Sequence, residues 1–254
     1  MNSLRLQHAR IVTPGTLIPD GALDIVDGKI TAVGPVAEMP ALAGKTLDLE
    51  GKTLLPGLVD IHCHGRNGAD FSDGTREAFE TIGQHKLEEG VTTVFPTTLT
   101  LPKEAILEVL HRTREYAPSF PAAKMPGVHL EGPFLTPECA GAQNPQWLRL
   151  PDFGEIDEYR RICRIMKISL SPELPGALEM IRRATAEGII CSGAHSSADY
   201  EQYLAAREAG MSQLTHFCNV MTPLHHLRPG MVGGALVSPD MWVEVIGEAC
   251  TSRM

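Results

Sequence analysis

The sequence predicts an α/β protein: an incomplete TIM-like (β/α) barrel of about seven strands, preceded by a small β-sandwich-like unit. Three observations support this prediction. Short alternating strands and tight turns fill the first 55 residues. From Pro56 onwards, strand patterns alternate with amphipathic helix patterns. Several of these later strands end in histidine or glutamate.

Residues 1–55 contain the signals of a small β-unit. The string "ALDIV-DG-KITAV" is typical of a hairpin, because Asp27-Gly28 suits the positive φ angles of a type I′ turn. The string "TLDLEGKTLLPG" continues the same pattern. We therefore predict part of a β-sandwich in residues 1–55 and a truncated barrel domain in residues 56–254.

Seven strand patterns follow residue 55, with the strings "GLVDIHC", "VTTVFPT", "MPGVHLE", "MKISLSPE", "IICSGAH", "MSQLTHF" and "MWVEVIG". Amphipathic helix patterns separate most of them, for example "TREAFETIGQHKLEEG" and "GALEMIRRATAEG". This alternation predicts parallel strands with helical crossovers, in either an open doubly wound sheet or a barrel. A closed barrel of this type has eight strands. The sequence therefore predicts a barrel that is one strand short.

Five candidate metal ligands lie where predicted strands end: His62, His64, Glu131, His195 and His216. His62 and His64 are two residues apart on a strand, so their side chains leave the same face. Candidates at the ends of four different strands favour the barrel, whose functional site forms at the carboxyl ends of its strands. Imidazoles and a carboxylate that converge there suit a divalent metal for hydrolytic chemistry.

Other polar residues near these strand ends have weaker signals. We predict that His129 is a hydrogen-bonded interior histidine and that Asp60 supports His62 rather than binding metal. Glu173 either faces the mouth of the barrel or pairs with a nearby base. His225 and His226 lie in a Pro-flanked loop and are predicted to contact solvent or substrate.

Composition excludes several classes of function. A net charge of −9 without basic clusters argues against binding to nucleic acid or to a membrane surface. The six cysteines show no C-x-x-C pair, which is typical of reduced thiols in a cytoplasmic protein. A Gly-x-Ser-x-Gly elbow is absent from the sequence, which argues against a serine hydrolase.

The strings "LLPGLVDIHCHG", "GVHLEGPF", "GAQNP", "GAHSSA" and "THFCNVM" resemble the amidohydrolase superfamily, and more closely the N-acetylglucosamine-6-phosphate deacetylases. The resemblance implies metal ligation by Glu131, His195 and His216, with His62 and His64 at a second site. It implies zinc or iron, as one or two ions, and a homodimer. The implied reaction is hydrolysis of the acetamide of N-acetylglucosamine 6-phosphate to glucosamine 6-phosphate and acetate.

The same resemblance implies substrate contacts from Gln143, Asn219, the backbone near Val220, and Arg228. The family often reads "HHREPG" after strand six, whereas this chain reads "HHLRPG", so Arg228 is displaced by one position.

After strand seven the family continues into "ADG-x-H" and then to a catalytic Asp, whereas this chain reads "VIGEACTSRM". We interpret the chain as truncated at its C-terminus or altered in reading frame near Gly247, and we expect the general acid/base Asp beyond Met254. Little or no deacetylase activity is therefore expected. The alternatives are an inactive fragment that binds metal or sugar phosphate, and another amidohydrolase such as a cyclic-amide hydrolase or a deaminase.

Overall fold

A computed structural model describes residues 2–116 and 122–246 of the chain. They fall into two compact units, Met1–Leu58 and Val59–Met254. The divergent tail from Gly247 onwards lies outside the described residues.

The first unit is a five-stranded sheet. Its strands are β1 (Ser3–Thr13), β2 (Thr16–Val26), β3 (Lys29–Pro35), β4 (Lys45–Asp48) and β5 (Thr53–Leu54). The predicted hairpin is confirmed, because β2 and β3 pair antiparallel around Asp27 and Gly28, which have φ angles of 49° and 79°. Ala9, Ile11 and Leu23 form its small apolar core.

The second unit contains a curled sheet of seven strands, which confirms the predicted incomplete barrel. Along the sheet the strands follow their order in the chain, and the ladders from β9 to β14 are parallel. The strands are β6 (Leu58–Cys63), β9 (Val91–Thr98), β10 (Val128–Glu131), β11 (Ile165–Leu170), β12 (Ile190–Gly193), β13 (Gln213–Leu214) and β14 (Trp242–Val243). A hairpin of β7 (Gly65–Arg66) and β8 (Ala69–Asp70) follows β6. Within the described residues, β6 and β14 are the two edges of the sheet.

Helices connect the strands as predicted, apart from α6, which is an addition. They are α1 (Arg76–Glu88), α2 (Lys103–Glu115), α3 (Phe153–Ile162), α4 (Ala177–Ala186), α5 (Tyr200–Ala209) and α6 (Gly230–Leu236). Side-chain oxygens of Thr75, Asp152 and Asp199 cap the first turns of α1, α3 and α5. None of the described helices is both long and apolar enough to cross a bilayer.

The string "GMVGGAL" forms helix α6, which the sequence does not predict, and glycine disfavours helix formation. Packing explains why these glycines are helical. A Cβ atom on Gly234 would lie 2.4 Å from the ring of Tyr203, and one on Gly233 would lie 2.8 Å from Pro229. The absent side chains therefore allow α6 to approach α5 closely, and this packing outweighs the weak local propensity.

The main core lies between the sheet and its helices. Alternation along β11 directs Ile168 and Leu170 into this core, each only 1% exposed, together with Tyr159 of α3 and Tyr203 of α5. The opposite face of the same strand carries Lys167 and is polar.

Replacing Ile168 by alanine should lower the free energy of unfolding by about 2–5 kcal/mol, because the cavity in a packed core is only partly refilled. A matched control is Leu150→Ala, which removes a side chain of similar size that is 55% exposed. This control should change the free energy by less than about 0.5 kcal/mol. Urea titrations followed by circular dichroism would measure both changes, and equal losses would contradict the placement of Ile168.

Candidate metal centre

The five predicted ligands converge at the carboxyl ends of the parallel strands. His62 lies in β6 and His64 just after it, Glu131 ends β10, and His195 and His216 each follow their strand, β12 or β13, by two residues. His195 and His216 adopt positive φ angles of 44° and 36°. Such backbone angles are uncommon for a residue with a side chain and often accompany a functional constraint. Both strands therefore end in a sharp turn at the residue that carries the imidazole.

Glu131 lies at the centre of the four imidazoles. Its Oε1 atom is 3.6 Å from Nε2 of His62, 3.5 Å from Nε2 of His195 and 3.1 Å from Nε2 of His216. Its Oε2 atom is 3.0 Å from Nε2 of His64. Burial raises the pKa of the Glu131 carboxyl, and the surrounding imidazoles more than reverse this effect, so the pKa lies well below its usual value. Glu131 is therefore a buried, ionised carboxylate.

The donor atoms form two triads that share Glu131: His62 and His64 in the first, His195 and His216 in the second. The Nε2 atoms of the two imidazoles are 3.3 Å apart in the first triad and 3.0 Å apart in the second. Nitrogen atoms this close to each other and to a carboxylate repel one another unless a positive charge lies among them. Histidine nitrogen and carboxylate oxygen are the ligands that zinc and similar ions prefer. The residues present therefore fit one or two divalent ions.

One imidazole of each triad is oriented by an acceptor behind it. Nδ1 of His195 lies 3.0 Å from the carbonyl oxygen of Cys139, and Nδ1 of His62 lies 2.8 Å from Oε2 of Glu244. Since both partners accept, each Nδ1 atom donates its proton to its partner, and each Nε2 atom faces the centre, where it can bind an ion. Nδ1 of His64 and of His216 are buried without a partner among the described residues.

A buried polar chain lies beside the ligands in the interior of the sheet. His129 contacts Oγ1 of Thr97 through Nδ1, at 3.3 Å, and Oγ of Ser169 through Nε2, at 2.7 Å. Oγ of Ser169 in turn contacts Oγ1 of Thr215, at 2.7 Å. Burial lowers the pKa of His129 well below its usual value, so this histidine is neutral. The prediction that His129 is a hydrogen-bonded interior histidine is confirmed, and its ring supports that of His62 at a centroid distance of 4.7 Å.

Two carboxylates with weak sequence signals support the backbone around the ligands. Asp60 accepts the backbone N–H of His62 at 3.1 Å and pairs with Lys86, also at 3.1 Å. Glu173 accepts hydrogen bonds from the hydroxyls of Ser196 and Ser197, directly after His195. Glu173 therefore holds the loop that carries a candidate ligand.

The predicted substrate residues have different surroundings. Gln143 is buried at the centre, where its side chain donates to Oε2 of Glu131 at 2.8 Å and accepts from the N–H of Thr100 at 2.7 Å. Asn219 and Val220 are exposed in the loop after His216. Arg228 is exposed in a separate turn, where its backbone pairs with that of His225.

Sequence reasoning missed Glu244 and Lys167. Lys167 is fully buried on the interior face of β11 and pairs with Glu244, which also contacts His62. Burial lowers the pKa of Lys167 to about 7, so its positive charge depends on neighbouring carboxylates. Alternation in "MKISLSPE" would have placed this lysine on the interior face, where a partner is required.

Comparisons with known proteins agree with the resemblance of the motifs. No model of a protein family matches the chain. The chain is 34% identical over 257 residues to N-acetylglucosamine-6-phosphate deacetylase of Bacillus subtilis, covering 99% of this chain and 65% of that protein. It is 33% identical over 246 residues to N-acetylgalactosamine-6-phosphate deacetylase of Escherichia coli O157:H7, covering 96% and 64%.

Solved structures give the same result. An N-acetyl-D-glucosamine-6-phosphate deacetylase mutant of Mycobacterium smegmatis, in complex with N-acetyl-D-glucosamine-6-phosphate, superposes with a TM-score of 0.82 at 28% identity. The match covers 96% of this chain and 63% of that one. The resemblance to N-acetylglucosamine-6-phosphate deacetylases is therefore confirmed over nearly the whole chain, although the chain spans less than two thirds of the length of these relatives.

Replacing Glu131 by glutamine should weaken divalent-metal binding at both triads, because they share this carboxylate. Equilibrium dialysis against zinc or cobalt, with metal analysis of the protein, would measure the change. Glu88→Gln is the matched control, since its side chain is 71% exposed and far along α1, and it should bind metal as the wild type does. Unchanged binding by the Glu131 variant would contradict the proposed ligand set.

Proposed function

We propose that this chain carries the metal-binding machinery of an N-acetylglucosamine-6-phosphate deacetylase. The reaction is hydrolysis of the acetamide of N-acetylglucosamine 6-phosphate to glucosamine 6-phosphate and acetate. The observation that carries the proposal is the buried Glu131 carboxylate among four imidazoles at strand ends. Similarity over 99% of the chain to an N-acetylglucosamine-6-phosphate deacetylase supports the same reaction.

We propose that the two triads hold zinc or iron, as one ion or as two. A divalent ion there would make hydroxide available at neutral pH and polarise the acetamide carbonyl. The protein's own task is to hold the ligands in place. Glu131 would offset the charge of an ion in either triad, and Gln143 fixes its Oε2 atom by a hydrogen bond of 2.8 Å. Cys139 and Glu244 orient one imidazole in each triad.

The loop between β10 and α3 lies against the ligands and is well placed to contact substrate. A Cβ atom on Gly141 would be 3.4 Å from the ring of His195 and 3.1 Å from the side chain of Val220. We propose that Gln143, Asn219 and the Val220 backbone bind the sugar beside this loop. The exposed guanidinium of Arg228 is our candidate for the phosphate, because arginine suits bidentate phosphate contacts.

Hydrolysis also requires a carboxylate that moves a proton from the water to the departing amine. Among the described residues, the carboxylates that contact the four imidazoles are those of Glu131 and Glu244. Glu131 already contacts the histidines of both triads, and Glu244 already contacts His62 and Lys167. We therefore propose that the proton-transfer group is not part of the described residues and that this chain alone has little activity.

A second candidate substrate is the galacto epimer, N-acetylgalactosamine 6-phosphate. It is favoured by the E. coli relative, which is a deacetylase of that sugar phosphate. Both epimers present the same acetamide to the metal centre, so the two candidates differ only in the sugar contacts.

We further propose that the active protein is a cytoplasmic homodimer. In it, residues 1–55 would form part of a β-sandwich and residues 56–254 the barrel. Six cysteines without a disulfide spacing support the cytoplasmic location. Sedimentation of the metal-loaded protein would measure its oligomeric state.

A deacetylation assay on two chains tests the proposed function. One is this chain, and the other is extended by the remaining C-terminal part of the B. subtilis relative. We expect acetate release from N-acetylglucosamine 6-phosphate to be about 10²–10⁴-fold faster for the extended chain, which supplies a general acid/base. An ordinary enzymatic rate from this chain alone would contradict the proposal.

The same assay separates the alternatives. Preference for the galacto epimer would assign the second substrate, whereas turnover of a cyclic amide or an aminopurine instead would indicate another amidohydrolase. Metal content and a cooperative thermal transition should accompany each measurement. An extended chain that folds and binds metal but hydrolyses none of these compounds would leave a binding protein as the conclusion.

A further inference from the structure

We propose that Glu244 is a positioning residue for the metal centre, because it joins His62 on the first strand of the sheet to Lys167 on the fourth and so orients the His62 imidazole. This inference rests on the proposed function, since it concerns how the proposed metal ligands are held. Three observations support it. They are the contacts of the Glu244 backbone, the contacts of its carboxylate, and the position of this carboxylate relative to the two nitrogens of His62.

The backbone of Glu244 is fixed on both sides. Its N–H donates to the carbonyl of Leu214 at 3.0 Å, and its carbonyl accepts from the N–H of Phe217 at 2.7 Å. These bonds extend the parallel ladder between β13 and β14 up to the loop that carries His216. The carboxylate therefore projects from a defined point at the carboxyl end of the last described strand.

The carboxylate itself has three partners. Oε2 lies 2.8 Å from Nδ1 of His62 and 3.3 Å from the backbone nitrogen of His216, and Oε1 pairs with the ammonium of Lys167. The Lys167 side chain is fully buried and that of Glu244 is 17% exposed. Little solvent therefore competes with these contacts, so the carboxylate is held in one orientation.

The position of Glu244 relative to His62 excludes a role as a direct ligand. It approaches Nδ1, whereas Nε2 of the same ring points to Glu131 and His64. By accepting from Nδ1–H, Glu244 fixes the tautomer in which Nε2 offers a lone pair to a metal ion. Glu244 orients His62 in the first triad, just as the Cys139 carbonyl orients His195 in the second.

The contact also bridges the two edges of the sheet. His62 lies on β6 and Glu244 directly follows β14, and no ladder joins these two strands in the part of the chain that the structure describes. The hydrogen bond spans 182 residues of sequence. Metal binding by the first triad is therefore coupled to the docking of β14.

Two measurements on the full chain test the proposal. The first is cobalt titration followed by visible absorption, applied to the wild type and to Glu244→Ala. We expect the variant to bind the ion of the His62–His64 triad about 10–100-fold more weakly. The ion of the His195–His216 triad should lose less affinity, because Glu244 contacts only the backbone nitrogen of His216, at 3.3 Å.

The second measurement is nitrogen-15 imidazole NMR on the metal-free protein at one fixed pH. In the wild type we expect His62 to carry its proton on Nδ1. In Glu244→Ala the two tautomers should mix, and Glu244→Gln should largely restore the wild-type pattern, because its amide oxygen can still accept. A purely structural role for Glu244 would not move this signal.

The matched control is Asp240→Asn. Asp240 lies in the same segment and pairs with Arg207 at the surface, so its variant should match the wild type in both measurements. Equal metal affinities and equal tautomers for the wild type and Glu244→Ala would overturn the proposal. So would an equal loss at both triads together with a lower melting temperature, since this would show general unfolding.

The two proposals fail in different ways. A wild-type chain that binds no metal would refute the proposed function, whereas the tautomer of His62 would still test the role of Glu244.

Lys167→Met adds an independent check. It removes the cation that holds Oε1, and we expect a partial shift of the His62 tautomer. An unchanged tautomer would overturn the part assigned to Lys167.

Discussion

The candidate site depends on one constraint: the Glu131 carboxylate is buried and ionised, and it must be surrounded by positive charge. An isolated charge in a protein interior costs several kcal/mol, so its neighbours are selected for their ability to offset it. Four imidazoles at the ends of β6, β12 and β13 surround the carboxylate and lower its pKa. The positive φ angles of His195 and His216 serve the same end, because they turn both strands towards Glu131. The arrangement of the strand ends can thus be understood as a consequence of one acidic residue.

Much of this arrangement could be predicted from the sequence. A histidine or glutamate directly after an apolar run is visible in the sequence, and parallel strands bring such residues to one end of the sheet. Glu244 could not be found in this way, since it lies within the apolar string "MWVEVIG" and its role depends on the meeting of β6 and β14. Helix α6 was missed for a related reason, because the close approach of Tyr203 to Gly234 is a tertiary contact that helix propensity does not contain.

The two triads have the same arrangement of contacts, but different groups supply the hydrogen-bond acceptor. In each, one imidazole has an acceptor behind it and the other has an Nδ1 atom with no partner among the described residues. The acceptor of the second triad is the Cys139 carbonyl, which belongs to the backbone. The acceptor of the first is a side chain from the last described strand. The second triad is therefore held by the loop that contains Cys139, whereas the first also needs the two edges of the sheet to stay together.

The edge that carries Glu244 also has a consequence for the behaviour of the protein in solution. In residues 2–116 and 122–246, β14 has a neighbour on one side only, and Trp242, Val245 and Ile246 are 74%, 75% and 54% exposed. An open strand edge with apolar side chains is a template for strand addition by other chains. Self-association through this edge would displace β14 and the adjoining Glu244, which orients His62. Colloidal stability and metal content are therefore expected to rise and fall together in samples of this chain.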